Sequence, residues 1–391
     1  MNRIKYPLNL YIVSHPDATF APIVAEDLYT NFCRDYKKPL SRGMGIPVYF
    51  RNSKMEDGKP VAINPLEAEK NAIILLIDKA YYLDESYIEY TEDLVKLVDS
   101  NTRIFPVSLF NDAYSVGCGL SDLQFIRGHE LKGETLDLKT TKDQDLSIRK
   151  IRTEVLHDCA RLLMDFQPSY QDDDRDRVGS PVKLFLSHAK IDGEEISLRF
   201  KRFIEDNLKL DVFFDTVDIA NGYSFSKQFE TQIRHSGLVV FHTDAYSSRE
   251  WCRREVLIAK KHKSPIVVFH HIKEGEKRAF PYLGNMPTTT MLENEWFSFY
   301  RIVNLTLFQV LNNLYQLKLL SSIRDIAGNA DTEYTILSSP PELLNFLEFP
   351  KNKPEGNKRV VLYPDPPLGI EELSVLNEFD REIEFVTPIN F

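Results

Sequence analysis

Glycine is scarce where phosphate chemistry would need it. The 391-residue chain has 16 glycines, and none stands in a Walker loop or a GxSxG elbow. Gly117-Cys118-Gly119 comes nearest to a dinucleotide loop, but it is short and lacks the third glycine. The four cysteines (Cys33, Cys118, Cys159, Cys252) are scattered with no CxxC pair. That excludes a thiol-based zinc module and fits reduced thiols in a cytoplasmic protein. His270 and His271 are adjacent, so on a strand they point to opposite faces and make a poor metal pair; no bound metal or cofactor is expected. The longest wholly apolar run is about six residues, Ala72 to Ile77, far too short to span a bilayer. Met1-Asn2-Arg3-Ile4-Lys5 leads almost directly into a strand, without a charged-then-apolar leader. The expectation is a cytoplasmic protein with no membrane association. Positive charge is also in short supply: 48 Lys and Arg face 58 Asp and Glu, a formal net charge of −10. This argues against direct nucleic-acid binding. The densest basic run, Lys260, Lys261, His262 and Lys263, reads as a solvated helix end favoured by the helix dipole.

What is present is a well-mixed globular composition, 43% hydrophobic and 27% charged. The length allows two or three domains. Residues 171–181 are polar, charged and aperiodic, and read as a linker. Before them lies one unit, residues 1–170. After them a second unit, 182–320, alternates strands and helices. Val182-Lys183-Leu184-Phe185-Leu186 is a buried strand, and Ile196, Phe200, Phe203, Ile204 and Leu208 recur at helical spacing. Val212-Phe213-Phe214 is a short strand, Phe225, Phe229 and Ile233 mark a helix, and Leu238 to Phe241 and Ile266 to Phe269 are further strands. Near-continuous apolar strands alternating with helices predict a parallel sheet covered on both faces. Ligands of such sheets bind beyond the carboxyl ends of the strands, where Ser187, Asp215 and Tyr246 sit.

The first unit repeats this order. Leu10-Tyr11-Ile12-Val13 is followed by Ser14-His15, as Leu186 is followed by Ser187-His188. Pro47 to Phe50, Ile73 to Ile77 and Ile104 to Val107 are its other strands. Asp78-Lys79-Ala80-Tyr81 echoes Asp244-Ala245-Tyr246. Aligning Ala80-Tyr81 with Ala245-Tyr246 places Ser86 opposite Trp251 and Tyr90 opposite Glu255, and a shifted helix would bring Glu89 there instead. The remaining residues, 321–391, predict a small βαβ piece: a strand at Arg359 to Tyr363, a stiff turn at Pro364-Asp365-Pro366-Pro367, a helix from Gly369 to Phe379 and a strand at Glu382 to Val386.

The segment after the Leu238 to Phe241 strand carries the chemistry. A helix opening near Ser247 or Ser248 places Trp251 and Glu255 four residues apart on one face. An indole beside a carboxylate at the carboxyl end of a parallel strand suits a ligand site. Spacing alone favours Glu255 as a solvated partner of Arg249, Arg253 or Arg254, and allows Trp251 as core filling as readily as a ligand face.

The second unit resembles a bacterial Toll/interleukin-1 receptor (TIR) domain. The resemblance rests on Phe185-Leu186-Ser187-His188, on Phe213-Phe214-Asp215 with Gly222 and Phe225 beyond, and above all on Ser248-Arg249-Glu250-Trp251-Cys252-Arg253-Arg254-Glu255. Phe280-Pro281-Tyr282-Leu283-Gly284-Asn285 adds to it. The first unit shares it weakly, as a degenerate copy. The resemblance implies flavodoxin-like parallel sheets flanked by helices, in two tandem TIR-like units followed by the C-terminal α/β extension. It implies an NAD+ hydrolase that cleaves the nicotinamide–ribose bond with Glu255 as the catalytic residue, with Ser187, His188, Phe214, Asp215, Tyr223 and Trp251 around the substrate. It further implies self-association that completes the pocket through the Thr216 to Ser224 loop, a sensor or signalling partner, and a role in anti-phage defence. Other members of the family only bind further TIR domains. The chain therefore stands between an assembly-activated NAD+ hydrolase and a non-catalytic interaction scaffold, with ligand binding without turnover as a third course.

Overall fold

The structure, a computed structural model, describes residues 4–38, 43–56, 58–164, 181–214, 232–233, 236–276, 279–292, 294–328, 332–348 and 358–391. The chain forms two compact units, one within residues 5–180 and one within residues 181–391.

The first unit is built on a five-stranded parallel sheet. Its strands are β1 (Tyr6–Ser14), β2 (Val48–Arg51), β3 (Ala68–Ile77), β4 (Thr102–Ser108) and β5 (Ile126–Arg127), in the order β2-β1-β3-β4-β5. The two central strands are buried almost end to end, because helices cover both faces. These helices are α1 (Ala21–Phe32), α2 (Lys79–Leu83), α3 (Glu85–Val95) and α4 (Thr141–Met164). A small antiparallel pair, β6 (Glu130–Leu131) and β7 (Glu134–Thr135), precedes α4.

The second unit repeats that topology. Its sheet contains β8 (Lys183–His188), β9 (Asp211–Phe214), β10 (Ser236–His242), β11 (Ile266–His270) and β12 (Thr288–Thr290), all parallel, in the order β12-β11-β10-β8-β9. Counted along the chain, both sheets run second, first, third, fourth, fifth. This is the flavodoxin-like order that the alternation and the resemblance predict. Among the described residues its helices are α5 (Glu194–Asn207), α6 (Glu250–Lys261) and α7 (Glu295–Ala327). On one face α6 packs Cys252, Val256 and Ala259 against Phe185, Leu238 and Val240. On the other face Phe200 meets Phe241 and Phe299 edge-on, and Phe203 meets Tyr300. Helix α7 approaches β10 so closely that a Cβ at Gly237 would lie 2.8 Å from Thr306 and 3.1 Å from Val310. Only glycine fits there without displacing the helix.

Helix α7 runs through residue 320 to Ala327 and joins a second, smaller sheet. That sheet consists of β13 (Thr332–Ile336), β14 (Lys358–Leu362) and β15 (Ile383–Val386), parallel and in chain order. Helix α8 (Ile370–Phe379) links the last two strands, as the sequence predicts, and the Asp365–Pro366 bond in the intervening turn is cis. Strand β13 was not foreseen. Leu320 and Ile323 of α7 pack against Leu362 and Ile336 of this sheet.

Candidate functional site

Strand β8 lies between β9 and β10, so the chain leaves it in opposite directions across the sheet. The crevice at its carboxyl end, between β8 and β10, is the switch point where open α/β sheets bind ligands. Ser187 pairs with Val240 across that crevice.

The segment from β10 to α6 is pinned at several points. Asp192, in the loop after β8, accepts from Thr243 Oγ1 (2.7 Å) and the Ala245 N–H (2.9 Å). Asp244 accepts the backbone N–H groups of Lys273, Glu274 and Gly275. A tight turn over Tyr246–Ser248 follows, and α6 begins at Glu250, two or three residues later than the sequence places it. Its buried stripe is Cys252, Glu255, Val256, Ala259 and Lys260. Glu255 is thus inside the domain, only 4% exposed, whereas Trp251, one turn earlier, is 50% exposed. The indole is no core filler: it stands at the rim with the Arg254 guanidinium 5.1 Å from its ring centroid.

The negative charge of Glu255 is felt by its neighbours. Burial pushes the Tyr246 hydroxyl far above its ordinary pKa, and the Glu255 charge adds to that. The Cys252 thiol is raised for the same two reasons in the same order. Both groups are therefore neutral at physiological pH. A carboxylate held in such a buried setting favours positive charge nearby.

The other expected residues fall as follows. The Ser187 hydroxyl turns inward, 2.5 Å from Tyr246 Oη. His188 is buried, and its ring stacks on Phe214 at 4.7 Å and 13°. The Lys201 ammonium lies 5.7 Å from the other ring of that stack, Phe214. Ser187, His188, Phe214 and Glu255 are therefore all buried at or next to the strand ends, with Trp251 outside them. Asp215 and Tyr223 lie outside the described residues, as do Asp218, Asn221, Gly222, Phe225 and Phe229. Tyr246 and Cys252 are close neighbours of Glu255. The sequence places Tyr246 just past a strand end but gives it no role, and Cys252 it does not assign to the site; its only signal is a thiol three residues before the acid.

Lys260 requires a correction. The basic run reads as a solvated helix end, yet the Lys260 side chain is 2% exposed. It donates to both carboxylate oxygens of Glu342 (3.0 and 2.8 Å) and to Asn285 Oδ1 (3.0 Å).

The first unit has the same scaffold with different contents. Tyr87, Tyr90, Thr91 and Leu94 form the buried stripe of α3, in the same spacing as Cys252, Glu255, Val256 and Ala259. Tyr90 stands in the place of Glu255, and its hydroxyl donates to the Val61 carbonyl (2.8 Å). Glu89 does not take that place; it is exposed and pairs with Lys59 at 2.9 Å. At the end of β1, His15 and Lys54 both bind Asp84 (3.1 and 2.5 Å).

At the ends of β10 and β11, His242 Nδ1 is 2.9 Å from His270 Nδ1 and His242 Nε2 is 3.0 Å from Glu276. Among the described residues, no group of three or more His, Cys, Asp or Glu is arranged to hold a metal ion. None of the described helices is long and apolar enough to cross a membrane.

Residues 184–293 match the family model of the TIR domain. No curated protein matches the chain. Among solved structures, the chain is similar to a phosphosugar isomerase-like protein from Silicibacter pomeroyi DSS-3 (10% identity, 79% of this chain and 86% of that one, TM-score 0.21). It is also similar to a sugar-binding-type protein from Salmonella typhimurium LT2 (12%, 61% and 88%, TM-score 0.19). Scores this low carry no argument about fold or activity.

Proposed function

With residues 184–293 a TIR domain, we propose that the chain is an NAD+ hydrolase that cleaves the nicotinamide–ribose bond. The observation that carries this reading is the burial of Glu255 on α6, whose Cys252 thiol reaches the carbonyl of His188 at the end of β8, with Trp251 half exposed one turn earlier. The chemistry suits a single acid. Nicotinamide leaves as a neutral pyridine that takes the bonding electron pair, so no general acid has to protonate it. The ribose becomes oxocarbenium-like, and a carboxylate in a dry setting stabilises that charge as it develops. Water then adds to the sugar carbon and releases a proton, giving ADP-ribose; capture by a group of the same molecule gives a cyclised product instead. In this reading Trp251 offers a face to one of the rings of NAD+. His188 and Phe214 form an apolar wall. Asp215 and Tyr223 remain candidates for the ribose and for a neighbour's ligand. Self-association through TIR surfaces would switch the enzyme on, in a cytoplasmic defence response to phage.

A second reading is a non-catalytic assembly module. It is favoured by the repeated sheet order and by the tyrosine at the Glu255 position of the first unit. One experiment separates the two. Purified protein is incubated with NAD+, with and without a crowding agent, and nicotinamide is quantified for the wild type and Glu255→Gln. The hydrolase reading expects turnover that falls on the order of a hundredfold or more in the variant. Equal release by both proteins would overturn it, and filaments with NAD+ untouched would favour the scaffold.

A further inference from the structure

We propose that Tyr246 is a positioning residue for Glu255, and that its hydroxyl fastens the end of β8 to the first turn of α6. The inference rests on the hydrolase reading above.

The geometry is specific. Tyr246 is fully buried, and its ring belongs to the core between α6 and the sheet. Its hydroxyl reaches two elements at once. It is 2.5 Å from Ser187 Oγ on β8 and donates to the Cys252 carbonyl on α6 at 3.4 Å. A carbonyl only accepts, so when Tyr246 donates to Cys252 it takes the Ser187 proton. The result is a chain of two hydroxyls from strand to helix. A second tie runs in parallel, from the Cys252 thiol to the His188 carbonyl at 3.4 Å. Ser187 and His188 are consecutive at the strand end, and Cys252 stands one turn before Glu255 on the same buried face. Together these ties hold the acid against the ends of β8 and β10. Burial and the nearby carboxylate both keep Tyr246 protonated, so the donor persists at any physiological pH.

The first unit supplies an internal contrast. There Tyr81, at the position of Tyr246, is also fully buried, but its hydroxyl bonds Thr91 of α3 at 2.7 Å. It ties one helix to the next. Where the acid is replaced by Tyr90, the tyrosine before the helix serves packing. Where the acid is present, the hydroxyl goes to the strand end.

The test uses the full chain under conditions in which the wild type turns over NAD+. Tyr246→Phe keeps the ring and removes the hydroxyl, Ser187→Ala removes its partner, and the double variant removes both. A small displacement of a catalytic group lowers the chemical step, so each single variant should lose on the order of tenfold or more in kcat with KM within about twofold. The double variant should be no worse than the worse single one, because the two hydroxyls act as one link. Thermal unfolding identifies variants that do not fold, and Ser187→Ala carries the test should Tyr246→Phe be one of them. Wild-type kcat in the folded variants, or losses that multiply in the double variant, would overturn the proposal while leaving the hydrolase reading intact. A wild type that never releases nicotinamide would end both.

Discussion

Replacing Glu342 by glutamine removes the carboxylate that holds the buried Lys260 ammonium, and its cost follows from the two exposures. The Lys260 side chain is 2% exposed and that of Glu342 is 28%. Stripping one partner from a buried pair costs about 3–5 kcal/mol, because the other charge is left uncompensated. Two features reduce this. Asn285 Oδ1 still accepts from the ammonium, and glutamine retains one oxygen. The expected loss is about 2–3 kcal/mol, a fall in Tm of about 4–12 °C for a unit of this size. The reverse change should behave differently. Lys260→Met removes the buried charge itself and leaves a carboxylate that water reaches, so its cost should be about 1 kcal/mol or less. Lys260→Met with Glu342→Gln should then recover most of the stability lost in Glu342→Gln alone. Differential scanning fluorimetry or urea unfolding of the unit within residues 181–391 checks the order. If Lys260→Met is the more damaging single change, or Glu342→Gln shifts Tm by less than about 1 °C, the pair is not held as described.

Two further outcomes are expected. At the end of β1 the first unit depends on the charge of Asp84. Burial works against its ionised form, but hydrogen bonds from Lys54, Ser86 and His15 outweigh it and hold the carboxyl well below the usual carboxylate value. A depressed folded pKa contributes stability that is present above the unfolded value of about 4 and is lost as pH falls through the folded one. Solvent reaches 22% of the side chain, so after screening Asp84→Asn, which still caps α3, should cost about 1 kcal/mol at pH 7, and the gap from wild type should close toward pH 3 in denaturant titrations. Trp251→Ala should leave Tm nearly unchanged, since half the ring is already in water. If the indole stacks on NAD+, the same change should raise KM about tenfold, and an unaltered KM would remove it from the site.

The sequence carried the strands clearly because parallel strands buried on both faces are nearly unbroken apolar runs, as in Leu10 to Val13 and Leu238 to Phe241. The Trp251 and Glu255 pair was legible from spacing alone, but which of them turned inward was not: both lie within one turn, and only the placement of α6 on the sheet puts Glu255 in the stripe. Helix α7 was missed for a physical reason. Its first half presents apolar residues to β10 and β11, and its second half presents Leu320 and Ile323 to the small C-terminal sheet. No single stripe runs along it. Strand β12 is three threonines on a sheet edge with only the middle one buried, a pattern too short and polar to stand out. The burial of Lys260 depends on a partner 82 residues further along the chain, which no local reading contains.

That long helix has a consequence for how the C-terminal segment can be handled. It forms a wall of two separate cores, so no cut near residue 320 yields a clean fragment. Trimming there would strip the last turns from a continuous rod, take Ile323 with them, bare Leu320 where the small sheet covers it, and remove the carboxylate that neutralises the ammonium at the end of the helix bearing Glu255. The extension belongs mechanically to the domain before it, and damage to either should register in both.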